Sequence, residues 1–279
     1  MCQYAFGRMH ADRLNVQYLL DVRLLENSAN LKNVTTRQFQ LDRFNVRYDG
    51  FASEDQINKF VKPNFLIRGL NKIRSKKHRS YISEKSHYDY PCYEDSLKLL
   101  RDGKYLEGYW VNKDYFISNF DNVVKDFTLS SSLSDKNRSH LSVLQDTVSV
   151  AIHIRRGDFV NNKKFVLPTL DYYHKSIAEL DQRFKIDSYV FFSDDISWAK
   201  SHFEGSSSFF VENSDNPEVD IFLMSQASHN IIANSTFSWW SALLNNNKDK
   251  VVIAPKLWYT DLSMQKNASF IIPDAWSKI

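Results

Sequence analysis

The stretch Val150-Ala151-Ile152-His153-Ile154-Arg155-Arg156-Gly157-Asp158 decides how the second half of this chain folds. An apolar segment runs straight into two arginines, a glycine and an aspartate. A short apolar run closed by a turn signal reads as a buried strand. Working outward, a strand is predicted over 147–154, with Val148, Val150, Ile152 and Ile154 on one face. Leu170, Tyr173, Ile177, Leu180 and Phe184 then share a stripe at helical spacing, which predicts a helix over 170–184. Further strands are predicted at 188–193, 208–211, 230–233 and 251–254. Helices are predicted at 195–203, from Pro217 through 228, and at 236–245. Pro217 near a helix start is tolerated, because its missing N–H would be unsatisfied there anyway. Strands alternating with helices argue a parallel sheet with helices on both faces. Such sheets bind ligands beyond the carboxyl ends of their strands.

The first half is less regular. Residues 3–20 read as a helix, and 34–48 partly alternates as strands do. Ser53-Glu54-Asp55-Gln56 has capping-box spacing and starts a helix toward Val61, with Pro63 close behind to stop it. Lys72-Ile73-Arg74-Ser75-Lys76-Lys77-His78-Arg79 is a basic stretch with two readings, a solvated loop or attraction to an anionic membrane. A short strand is expected at 104–110. Phe116, Phe120, Val123, Val124 and Phe127 lie at helical spacing within 113–127 and read as core. The change of texture divides the chain into an N-terminal domain, 1–145, and a C-terminal domain, 146–279.

Composition bounds the rest. The 279 residues are 43% hydrophobic and 25% charged, as globular chains are and disordered tails are not. A net charge of +3 is too small to argue for nucleic acid. Only Cys2 and Cys92 are present, so a disulfide framework and a cysteine-based zinc site are both excluded. No run of eighteen apolar residues and no signal-peptide pattern is seen, which makes the cytoplasm the expected compartment. G-x-G-x-x-G, the Walker phosphate loop, G-x-S-x-G and H-E-x-x-H are all missing.

Three strand ends carry the chemistry. At the first, Arg155 and Arg156 are permanent cations that fork onto phosphate, while Gly157 lets the backbone turn tightly. A surface ion pair is the plainer alternative. At the second, Phe191-Phe192-Ser193-Asp194-Asp195-Ile196-Ser197-Trp198, either Ser193 or Asp194 would cap the next helix. A paired-carboxylate metal site is the rival reading. At the third, Ile232-Ala233-Asn234-Ser235-Thr236-Phe237-Ser238-Trp239-Trp240, hydroxyls and free N–H groups gather at a helix start that could hold an anion. Capping and anion binding can hold there together. Asp220, on the preceding helix, could accept from a base or ribose.

These segments resemble the α-1,2-fucosyltransferases. Residues 150–158 match that family's His-x-Arg-Arg-Gly-Asp motif, 191–198 its Phe-Ser-Asp-Asp-x-x-Trp segment, and 220–242 its Asp-Ile-x-Leu-Met-Ser…Ile-Ala-Asn-Ser-Thr-Phe-Ser-Trp-Trp-x-Ala block. Leu106-Glu107-Gly108-Tyr109-Trp110 with Tyr115-Phe116, and Gln3-Tyr4-Ala5-Phe6-Gly7-Arg8, resemble two further elements. The resemblance implies an α/β, GT-B-like fold of two Rossmann-like domains. The C-terminal one would be a parallel sheet that binds GDP-L-fucose without a metal or other cofactor. It implies inverting transfer of fucose to the 2-hydroxyl of a terminal β-galactoside, with a glycan as partner. The mild charge adds no nucleic acid, and the basic stretch at 72–79 leaves peripheral association with an anionic membrane as its second reading.

By the same resemblance, Arg155 contacts the β-phosphate and Arg156 either assists it or holds the loop. His153 and Asp220 reach toward ribose or guanine. Asn234, Ser235, Thr236 and Phe237 cradle the diphosphate and base. Asp158 is the carboxylate nearest the arginines and the candidate base, with orienting an arginine as its other reading. The rivals are a metal-dependent GT-A transferase using Asp194 and Asp195, and an inactive carbohydrate-binding relative. The chain begins inside the family's first motif, without the Gly-Gly-Leu-Gly-Asn-Gln loop that precedes it. The expectation is therefore a shortened N-terminus, with poor solubility and weak turnover.

Overall fold

The computed structural model describes residues 1–26, 38–62, 80–84, 103–116, 120–212 and 216–279. They divide into two compact units, Met1–Ser130 and Ser131–Ile279. The basic stretch at 72–79, Pro63 and Cys92 lie outside the described residues.

In the first unit, helix α1 (Cys2–Leu14) ends where Asn15 takes a left-handed conformation. It does not continue to residue 20 as expected. Leu19–Leu20 is instead strand β1, followed by the short helix α2 (Arg23–Glu26). Over the described part of 34–48 the alternation yields no strand but a 3-10 turn at Leu41–Arg43. Strand β2 (Gly50–Phe51) pairs in parallel with β1. The capping box forms as read: Ser53 Oγ accepts from the Gln56 N–H, and the Gln56 side chain accepts from the Ser53 N–H, opening α3 (Glu54–Val61). Strands β3 (Tyr81–Ser83) and β4 (Tyr105–Glu107) form a second parallel pair. Helices α4 (Lys113–Phe116) and α5 (Asp121–Asp126) follow, with Phe116, Val123 and Phe127 buried.

Two motifs of this unit meet. The Gln3 side-chain amide donates to the Gly108 carbonyl at 2.8 Å, and Phe6 stacks on Trp110 at 4.3 Å. Behind them, buried Asp126 accepts from the Tyr4 hydroxyl at 2.7 Å and from Arg47 at 2.8 Å.

The second unit opens with α6 (Asp135–Asp146), which periodicity did not flag because its sequence is mostly polar. Then come β5 (Ser149–Ile154), α7 (Leu170–Arg183), β6 (Ser188–Ser193), α8 (Ile196–Phe203), β7 (Ser208–Phe210) and α9 (Pro217–Ser225). The series continues with β8 (His229–Ile231), α10 (Thr236–Leu244), β9 (Val252–Ala254), α11 (Leu262–Ile271) and β10 (Ser277–Lys278). The expected alternation is present, with α9 ending three residues early and α11 and β10 added. All six strands are parallel, in the order β10-β9-β8-β5-β6-β7. Outward from β5, the chain first fills one side and then the other. That is the doubly wound Rossmann order, with its switch point between β5 and β8.

Every residue of β5 is buried, as a central parallel strand covered on both faces must be. Val150, Ile152 and Ile154 pack with Tyr173 and Leu180 of α7, Phe203 of α8, and Phe191, Ile231 and Ile253 of the neighbouring strands. Val148, placed on that face by alternation, is exposed just before the strand begins. Among the described residues, no helix is long and apolar enough to cross a membrane.

Candidate functional site

Several residues singled out in sequence lie at the carboxyl edge of the second unit's sheet, where the loops leaving β5 and β6 meet. Because β5 and β6 pair in register, Ile154 opposite Ser193, the loop that follows each strand meets the other. Arg155 is held on both sides: Nη1 donates to Asp194 Oδ2 at 2.9 Å and Nη2 to Asp158 Oδ1 at 2.5 Å. The Arg156 N–H donates to Asp194 Oδ1 at 2.8 Å, and its Nε to Asp195 Oδ2 at 3.1 Å. The Arg156 guanidinium also lies over the Trp198 ring, 4.2 Å from its centroid. Both cations are thereby pinned in an ordered, partly desolvated array, where each charge acts more strongly than in water.

Gly157 has a steric reason to be glycine. A Cβ there would lie 2.5 Å from Asp194 Oδ2. The cap of α8 differs from the expectation. Asp195, not Ser193 or Asp194, is the N-cap and accepts from the Trp198 N–H, because Asp194 is turned toward the arginines. Asp194 and Asp195 thus both accept from guanidinium groups. Among the described residues no three His, Cys, Asp or Glu side chains gather as a metal-holding group.

His153, one residue inside β5, is buried beside Phe237, the rings 5.4 Å apart. Burial, aided by the Arg155 charge, pushes its pKa down to about 3, so it is neutral at pH 7. Its Nδ1 is buried with no hydrogen-bond partner in the protein. Ser235 caps α10 by accepting from the Phe237 N–H, as read, and Thr236 is exposed at that helix start.

Asn234 does something the sequence did not suggest. Its Nδ2 donates to the carbonyls of Val166 at 2.6 Å and Trp258 at 3.1 Å, tying together the loops that leave β5 and β9. Its Oδ1 is buried and unpartnered, as is Trp258 Nε1. Asp220 is half-buried on α9, the helix that packs against α10. Among the named residues, the structure therefore joins Arg155, Arg156 and Asp158 in one network and His153 with Phe237 in another. Asp194, Asp195 and Trp198 were visible as a motif, but nothing local marked them as partners of the arginines.

A doubly wound parallel sheet with two carboxylate-held guanidiniums at the carboxyl edge of its central strand defines a Rossmann-like protein. Its particular lineage comes from comparison with known proteins. The family model "Glycosyl transferase family 11" matches residues 17–279, and the chain belongs to that family of glycosyltransferases. This is the family to which the motifs pointed. An Escherichia coli protein named alpha-1,2-colitosyltransferase is 33% identical over 100% of this chain and 94% of its own length. The E. coli O-antigen biosynthesis glycosyltransferase WbnK is 31% identical over 87% of this chain and 84% of its own. A Mus musculus galactoside 2-alpha-L-fucosyltransferase, Sec1, is 30% identical over 47% of this chain and 39% of its own.

Proposed function

We propose that the protein is an inverting galactoside α-1,2-L-fucosyltransferase. It moves L-fucose from GDP-β-L-fucose to the 2-hydroxyl of a terminal β-galactoside in a cell-surface polysaccharide. The observation that carries this reading is the pair of guanidiniums at the carboxyl end of β5, beside the switch point, in a chain of this family. In this reading the chain is GT-B-like, with 146–279 carrying the donor and 1–145 the acceptor specificity.

The chemistry fits the groups. The acceptor oxygen attacks the anomeric carbon, the bond to the β-phosphate oxygen breaks, and GDP departs with the negative charge. Arg155, assisted by Arg156, stabilises that charge, and no divalent cation is needed. Asp158, exposed beside Arg155, accepts the proton of the acceptor hydroxyl. His153, neutral at pH 7, offers a hydrogen bond rather than a charge to ribose or base. Asp220 serves the same end of the nucleotide. Ser235, Thr236 and Phe237, at the N-terminus of α10, receive the diphosphate, with Asn234 shaping the loop beneath.

Transfer from labelled GDP-fucose to an array of β-galactosides, with and without EDTA, tests the reading. The expected product is an α-1,2-linked fucoside, formed equally well with EDTA. Loss of transfer that manganese restores would establish a metal-dependent enzyme instead. Absence of GDP binding in calorimetry would establish a non-catalytic carbohydrate-binding protein.

A second donor has a specific observation behind it, since the relative matched over the whole chain is named for colitose transfer. Colitose is L-fucose without its 3-hydroxyl. Competition between GDP-fucose and GDP-colitose decides between them. A site that hydrogen-bonds the 3-hydroxyl would reject colitose strongly, because a buried partner would be left unpaired.

A further inference from the structure

We propose that Asp194 is the positioning residue of this site and that Asp158 is a placeholder, which the donor's diphosphate displaces from Arg155. The inference rests on the donor-binding reading above and divides the labour of two carboxylates that grip one guanidinium. They grip it unequally. The Asp194 side chain is 25% exposed and that of Asp158 59%, with Arg155 between them at 33%.

Asp194 makes two bonds to the Arg155-Arg156 segment, one to the side chain of the first and one to the backbone N–H of the second. It also lies so close to Gly157 that a Cβ there would sit 2.5 Å from its Oδ2 and the carboxylate would have to shift. A carboxylate fixed at both oxygens, with the glycine beside it stripped of a side chain, is a rigid anchor. Asp158 has a single contact in this network, through Oδ1 to Nη2, and stands on the more exposed side. It occupies one branch of the guanidinium fork with one anionic oxygen, the place a phosphate oxygen would take.

When the diphosphate arrives, it takes Nη2 from Asp158, and Asp194 keeps Nη1. No covalent bond changes in this exchange. Its consequence is an order of events: Asp158 becomes available as a base only after the donor has bound. A hydroxyl cannot then be deprotonated at this site before there is a sugar to receive it.

Four variants and two readouts test this. GDP binding and transfer kinetics are measured on Asp194→Asn, Gly157→Ala, Asp158→Asn and the Asp194→Asn/Gly157→Ala double variant. The second readout needs no donor. The rate at which phenylglyoxal modifies Arg155 is followed by peptide mass spectrometry, alongside thermal melting to establish folding. Asp194→Asn is expected to speed the modification, weaken GDP roughly tenfold and lower kcat by about 10²-fold, the scale of a misplaced reacting group. Gly157→Ala, which keeps every charge, should reproduce those effects by pushing Asp194 aside. The double variant should be no worse than either single one, because both act through one contact. Asp158→Asn should bind GDP at least as tightly as wild type while losing turnover.

Wild-type kcat in a folded Asp194→Asn protein would overturn the positioning role. GDP binding weakened as much by Asp158→Asn as by Asp194→Asn would overturn the placeholder role. If Arg155 reactivity responds to Asp194 as expected but wild type binds no GDP, the donor-binding reading and the displacement by diphosphate fall together, and the anchoring of Arg155 stands.

Discussion

In the proposed reaction Arg155 is the residue that meets the leaving group, and its substitutions separate charge from geometry. Arg155→Ala leaves Asp158 and Asp194 without a shared cation and, in the proposed reaction, the leaving diphosphate without its stabiliser. Transfer should fall by about 10²–10³ in kcat, the cost of losing one such electrostatic contact. Arg155→Lys should also be poor, because an ammonium cannot fork between Asp194 and a phosphate. Steady-state kinetics on the folded variants checks both, and full turnover in the lysine variant would leave only a charge requirement. Asn234 makes a different prediction. Asn234→Ala removes a donor from the half-buried Val166 carbonyl and from the buried Trp258 carbonyl, leaving the two loops joined only by their direct bonds such as Val166 N–H to Trp258, so it should cost roughly 1–3 kcal/mol of stability, read by urea denaturation. A residue that only touched ligand would show no such loss.

At the scale of elements, local signals worked where they were self-contained. The capping box at Ser53 and Gln56 is complete within four residues, so the sequence located the start of α3 correctly. Ser53→Ala should destabilise the first unit by about 0.5–2 kcal/mol, seen as a lower melting midpoint, with Ser53→Gly recovering most of it. The strand ends of the second unit were legible for a related reason. A buried parallel strand is a continuous apolar run, and its polar exit is visible in sequence. Other elements depend on context. α1 stops at Asn15, and the Tyr18 side chain then packs back so closely on Gly7 that a Cβ there would sit 2.5 Å from its hydroxyl. A Gly7 substitution is felt through that approach, which no periodicity announces. α6 and α11 carry mixed faces, yet each has a side-chain N-cap, Ser134 and Asp261, that a search for caps alone would have found.

At the scale of the whole molecule, buried histidines in both units shape the response to acid: among the described residues, His10 in the first and His153 and His229 in the second. Burial pushes the pKa of His10 and of His153 down to about 3, against an ordinary value near 6.5. Between those two pH values the unfolded chain takes up a proton that the folded chain refuses, so stability falls as pH drops below about 6.5. Each histidine contributes at most about 1.4 kcal/mol per pH unit. Denaturation midpoints at pH 7 and pH 5 should differ accordingly, and His10→Leu should flatten the dependence of the first unit. An equal slope in that variant would remove His10 from the account.

The sequence alone determined that the second half is a parallel α/β sheet. It also determined that Arg155, Arg156 and the Asn234-Ser235-Thr236 segment stand at strand exits, because hydrophobic periodicity and turn residues act over a few positions. The motif order was enough to point to the family. Only the tertiary structure decided that Asp194 anchors Arg155, that it lies where a Cβ on Gly157 would be, and that Asn234 bonds both Val166 and Trp258. Those facts depend on which strands are neighbours. The pairing of β5 with β6 brings together residues nearly forty positions apart, and it is selected by the packing of the whole sheet, not by any local stretch of chain.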